Sequence, residues 1–143
     1  MIVFLDIDGV LNCRRDWSVP YTLNKDCLDN FAWCFCETNI KIILTSSWRA
    51  GFVSPGNSRN SIQIQKLESE LSKRGFRIGG TVGVGTPSRA KAIEIFLSKY
   101  PEQYIILDDD LSEFGNKMIP NLYLTDCKTG LTPKDVKKIR KML

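Results

Sequence analysis

The chain predicts an α/β fold, a parallel sheet with helices on both faces. Two observations carry this. Short apolar runs of strand length alternate with stretches of helical period throughout, and each strong run ends in a carboxylate or a hydroxyl, where open parallel sheets gather their ligands. At 143 residues, 43% of them hydrophobic and 25% charged, the chain is long enough to bury most of its apolar surface as one domain over 1–143.

The elements follow in order. Residues 2 to 6 are a first strand ending in Asp6, and the run IVFLDIDGVLN continues it through Asp8 and Gly9. Leu28, Phe31, Ala32 and Phe35 mark one face of a helix within 24–37. KIILT, 41 to 45, is a second strand ending in Thr45. After the polar loop SPGNSRN, Asn60 and Gln63 have capping-box spacing and Ile64, Leu67 and Leu71 form the next stripe. A weaker strand is expected near 76–78. GGTVGVGTP, 79 to 87, reads as a loop whose glycines lack the spacing and the preceding strong strand of a dinucleotide fingerprint. Thr86 and Pro87 start a third helix with Ala90, Ile93 and Leu97 inward. YIILDDD, 104 to 110, and NLYLT, 121 to 125, are the fourth and fifth strands. Thr132, Pro133 and Asp135 cap a final helix whose stripe is Val136, Ile139 and Leu143.

The net charge of +4 is local. Residues 132 to 143 hold five Lys or Arg against one Asp, and the remainder balances at 15 of each sign, so the excess belongs to one helix with a solvated face. No apolar run approaches the ~20 residues that span a bilayer. The start of the chain lacks the basic, apolar and small-residue series of an export signal, so the cytosol is expected. Five cysteines without repeated CxxC spacing, and no histidine, point to reduced thiols rather than disulfides or a zinc site.

The chemistry-bearing residues collect at strand ends: Asp6 and Asp8 after the first, Thr45 and Ser46 after the second, Asp108, Asp109 and Asp110 after the fourth. In a parallel sheet these meet in one crevice. Clustered carboxylates repel unless a cation joins them, and oxygen donors without histidine suit Mg²⁺. DxDG alone also fits a tight turn, so the ordered set carries the argument, with Lys91 on a helix before the last acidic cluster.

In that order the chain resembles the haloacid dehalogenase (HAD) superfamily of phosphotransferases over nearly its whole length: FLDIDGVLN resembles the first motif, ILTSS the second, Lys91 within SRAKAIEIFL the third, and IILDDD the fourth. LTSSWR and LTDCKTGLT are most similar to the small HAD domains of RNA and DNA end repair, including the phosphatase half of polynucleotide kinase-phosphatases. The resemblance implies a Rossmann-like five-stranded sheet of order 5-4-1-2-3. The intervals between motifs leave no room for a cap domain.

It also implies roles. Asp6 is the nucleophile that forms an aspartyl-phosphate, and Asp8 the general acid and base, whose backbone carbonyl also faces the metal. Gly9 turns the chain beside the substrate. Thr45, or its competitor Ser46, binds the phosphoryl oxygens, and Lys91 balances charge between them and Asp6. Asp109 is the preferred metal ligand, with Asp108 acting through water or as an orienting group, and Asp110 caps the following turn. Arg14, Arg15 and Trp17 after the first motif, and Trp48 and Arg49 after the second, grip a nucleotide phosphate and stack a base, or else are loop anchors and solvated arginines. The expected protein is a monomeric, capless, Mg²⁺-dependent phosphomonoester hydrolase acting on RNA or DNA 3′-phosphate ends or on nucleotides. A phosphoprotein or small-metabolite phosphatase and a catalytically silent binding module of the same fold are the alternatives. A response-regulator receiver would order its motifs differently.

Overall fold

Ile2–Leu5 forms β1, and all four side chains are fully buried, as a central strand covered on both faces requires. The computed structural model describes residues 1–58, 61–83, 85–86 and 88–143. In chain order the remaining elements are α1 (Lys25–Phe35), β2 (Lys41–Leu44), α2 (Ile62–Ser72), β3 (Ile78–Thr81), α3 (Arg89–Lys99), β4 (Tyr104–Asp108), β5 (Leu122–Leu124) and α4 (Pro133–Met142). The strands make one all-parallel sheet of order β3-β2-β1-β4-β5, the expected order read from its other edge.

Alternation along β1 builds two cores. Val3 and Leu5 face a large cluster with Phe31 and Phe35 of α1, Leu67 and Leu71 of α2 and Val136 and Ile139 of α4. Ile2 and Phe4 face a smaller one with Ala92 and Ile93 of α3, Ile43 and Ile106. Three helices therefore cover one face of the sheet and α3 covers the other. Among the described residues no helix is long and apolar enough to cross a membrane.

The helix starts are held by side-chain caps. Asn24 accepts the backbone N–H groups of Asp26 and Cys27, Ser61 that of Ile64 and Ser88 that of Lys91, while Thr132 and Asp135 cap each other as the spacing predicts. Asn60 and Pro87, expected at two of these starts, lie outside the described residues. The third helix begins later than Thr86, whose hydroxyl donates to the Gly83 carbonyl at 3.1 Å.

Two further expectations need correction. The weak strand lies at 78–81, so Gly79, Gly80 and Thr81 belong to the sheet rather than to a loop. Its register slips between Ile42 and Ile43, and a Cβ on Gly79 would press on the Lys41 side chain, so this edge uses glycine for close approach, against ordinary strand propensity. Leu143 is exposed, so the α4 stripe ends at Ile139.

All five cysteines are free thiols, with Cys13, Cys27 and Cys34 buried and Cys36 exposed. Burial pushes the thiol of Cys27 up to about 11 and that of Cys34 up to about 12, so neither ionises in the folded protein near neutrality. Titration with a disulfide reagent is expected to modify Cys36 first and to reach the three buried thiols only after denaturant is added; rapid native labelling of Cys34 would contradict this packing.

Candidate active site

Sheet register assembles the site. In their pairings with one another β1, β2 and β4 end at Leu5, Leu44 and Leu107, so Asp6, Thr45 and Asp108 each occupy the next position at one edge of the sheet. The Asp6 N–H donates to the Leu107 carbonyl and the Thr45 N–H to the Leu5 carbonyl, both at 3.0 Å, extending the ladder one step past the strands. Asp6, Asp108 and Asp109 thereby offer three carboxylate oxygens within 4.8 Å of one another.

The burial of these acids is costly, and their proton affinities register it. Burial, reinforced by Asp108, pushes Asp6 up to about 7 despite the neighbouring guanidinium of Arg89. Burial likewise raises Asp108 and Asp109. Arg89 supplies the compensation within the chain, its Nη1 lying 3.1 Å from Asp6 and 2.6 Å from Asp108. The second Asp108 oxygen accepts the Asp110 N–H at 2.9 Å. Asp110 itself caps the turn Leu111–Glu113 through Ser112, as expected.

Lys91 is elsewhere. It is exposed and pairs with Glu94 at 3.6 Å, so the cation that reaches the carboxylates is Arg89, two residues earlier. The reason is helical phase. Residues two apart on a helix project about 200° from each other, and with Ser88 as cap the first helical side chain, Arg89, faces the strand ends while Lys91 faces away. The hint in the sequence was a second cation in SRAK.

Between the two hydroxyl candidates, Ser46 is committed: its Oγ caps the turn Ser47–Gly51 by accepting the Trp48 N–H at 3.2 Å. Thr45 Oγ1 is fully buried and is the one such side-chain polar atom without a hydrogen-bond partner among the described residues. A buried hydroxyl left unpaired costs free energy, and its presence beside three acids points to a ligand oxygen. Replacing Thr45 by valine is expected to leave thermal stability unchanged or slightly raised while lowering phosphoester turnover about 100-fold. A drop in melting temperature together with unaltered turnover would reverse that assignment.

Gly9 has φ +80°, and a Cβ there would overlap the Asp109 carboxylate. Glycine is thus required twice, for the left-handed turn and for the close approach. Thr125, which the sequence reading missed, ties this turn down: its hydroxyl donates to the Gly9 carbonyl at 2.8 Å and its N–H to the Asp108 carbonyl at 2.9 Å.

Asp8 stands apart from the three-carboxylate group. One of its oxygens accepts Asn12 Nδ2 at 2.8 Å and the other the Trp48 indole at 3.2 Å. Asn12, buried and also missed, accepts the Gly9 N–H at 3.0 Å and the Trp17 indole at 2.9 Å, so one amide orients the turn, the acid and an aromatic ring. Its signal was an asparagine among apolar residues in GVLN.

The arginines are less free than expected. Arg49 donates to the backbone carbonyls of Thr45, Ser46 and Gly83, bracing the loop, although its edge still lines a hollow beside Thr45 and Arg89. Arg14 is exposed and directed at the Cys127 sulfur, 3.2 Å away, rather than at the acids.

The donor set suits Mg²⁺: three carboxylate oxygens and no histidine in the chain. A family model described as the HAD domain in Swiss Army Knife RNA repair proteins matches residues 2–136. No curated protein and no solved structure matches the chain.

Proposed function

The chain belongs to the family of HAD domains in Swiss Army Knife RNA repair proteins, and from that premise we propose that it is a Mg²⁺-dependent phosphomonoester hydrolase acting, as one domain, on 3′-phosphate ends of nucleic acid. One observation carries the reading: three carboxylates from two adjacent strand ends converge beside a buried hydroxyl that has no partner among the described residues.

In this reading Asp6 attacks phosphorus in line with the leaving oxygen. A bond forms from its carboxylate to phosphorus as the ester P–O bond breaks, dividing one displacement into two. Asp8, held by Asn12 and Trp48, gives its proton to the departing alkoxide and then takes one from the water that hydrolyses the aspartyl-phosphate. Thr45 donates its hydroxyl to a phosphoryl oxygen, and Arg89 takes the balancing role expected of Lys91. Mg²⁺, held by Asp6, Asp108 and Asp109, would supply positive charge against the charge carried by the phosphoryl oxygens.

A panel of 3′- and 5′-phosphorylated oligonucleotides, nucleotides, sugar phosphates and phosphopeptides, each assayed with Mg²⁺ and with chelator, tests this. Release of phosphate should need Mg²⁺ and be most efficient, by kcat/KM, on the 3′-phosphorylated strand. Higher efficiency on phosphopeptides or sugar phosphates would replace the substrate class, and no release from any member would remove the hydrolase.

A further inference from the structure

Beside Asp8, the chain after the first motif leaves a cleft of ≈ 520 Å³ that includes Asp8, Trp17, Tyr21, Trp48 and Gln63 in its walls. A smaller hollow of ≈ 220 Å³ contains Thr45, Arg49, Ser88 and Arg89, and Ser47 lines both. The larger space is in the range of small-molecule sites, whereas a phosphoryl group belongs with the unpaired hydroxyl and the guanidinium in the smaller one.

Three aromatic residues stand in the walls of the cleft, Trp48 buried and Trp17 and Tyr21 exposed. Trp17 is 43% and Tyr21 49% exposed, a concentration of large apolar surface within five residues that solvation does not explain. Tyr21 also adopts φ +59°, a left-handed backbone unusual for an aromatic residue, and stands edge-on to Trp48 with ring centroids 5.6 Å apart. The Trp17 ring is fixed through its indole nitrogen to the same Asn12 that orients Asp8.

Charge narrows the occupant. Among the described residues the charged side chains lining the cleft are Asp8 and Asp16, with no lysine or arginine, so a second phosphate is disfavoured there and a neutral ring is not. We propose that the cleft seats the base of the terminal nucleoside, the leaving group, against Trp17 and Tyr21, so that recognition extends to the base next to the scissile phosphate. The direction of the leaving group rests on the hydrolase reading above; the binding of a base does not.

The test uses Asp6→Asn protein, to prevent turnover, and two 3′-phosphorylated RNA hexamers that differ only in carrying adenine or no base on the last ribose. Affinity measured by calorimetry should favour the adenine end roughly tenfold or more, the size of an aromatic–base stack. Trp17→Ala with Tyr21→Ala should bring the ratio near one, Trp17→Phe should keep most of it, and Trp33→Phe, on the outer face of α1, should not alter it. Equal affinity for the two hexamers in the Asp6→Asn protein overturns the proposal regardless of how the other variants fold, as does a ratio that survives the double substitution. Tighter binding of a basic phosphopeptide than of the adenine end would likewise overturn it. A base-dependent ratio in a protein that hydrolyses nothing would sink the hydrolase reading and leave the cleft; hydrolysis without base dependence would do the reverse.

Discussion

Asp6→Asn is expected to lower turnover of any phosphomonoester by at least about 10⁴-fold, the scale on which a covalent nucleophile is lost. The same change should not unfold the protein. The carboxylate is buried beside Asp108, and burial together with that neighbour already holds its proton affinity near neutrality, so a neutral amide of the same shape relieves repulsion while giving up the contact to Arg89. Thermal melting alongside steady-state kinetics checks both halves. Turnover within tenfold of the parent protein would mean that Asp6 does not attack phosphorus.

Arg89→Ala is expected to produce the other large effect, on stability as well as on activity. Removing the cation paired with two buried acids leaves their charge uncompensated among the described residues, and a cost of about 2–3 kcal/mol is expected, below the usual range for a fully buried pair because the Arg89 side chain is 23% exposed. Added Mg²⁺ should recover part of this loss, since a cation that binds the folded carboxylates stabilises them by mass action. Turnover should fall about 100- to 1,000-fold. Lys91→Ala, by contrast, gives up an exposed pair worth about 0.5 kcal/mol or less and should change turnover by less than about twofold. Melting curves with and without Mg²⁺, and kcat for both variants, separate the two cations. The opposite ranking would restore Lys91.

Strand positions and helix stripes were legible because burial on both faces leaves a plain apolar run, and α1 and α2 place nearly all of their expected positions inward, whereas the strand order came from the family resemblance. The third strand was legible only as a weak run near 76–78, since the two glycines inside IGGT interrupt the pattern that Ile78 and Thr81 would otherwise give, and pairing with β2 holds it. Within the site, Asp6, Asp108 and Asp109 could be located from strand ends because register alone decides their positions. Arg89 could not, because two residues of helical phase separate it from Lys91, and the phase depends on a cap at Ser88 rather than on composition. Asn12 and Thr125 act through hydrogen bonds to distant backbone and side chains, which no local pattern announces.

The hydroxyl bridge from Thr125 to Gly9 makes the pocket a closed circuit: the segment that completes it comes more than a hundred positions after the acid-bearing turn and brings no reacting group of its own. A shortened polypeptide ending after β4 would keep each acid, Thr45 and Arg89, yet leave the Gly9 carbonyl without its clasp and β4 without its outer neighbour. The chemistry proposed for the pocket would thus depend on a strand that carries none of its reacting groups.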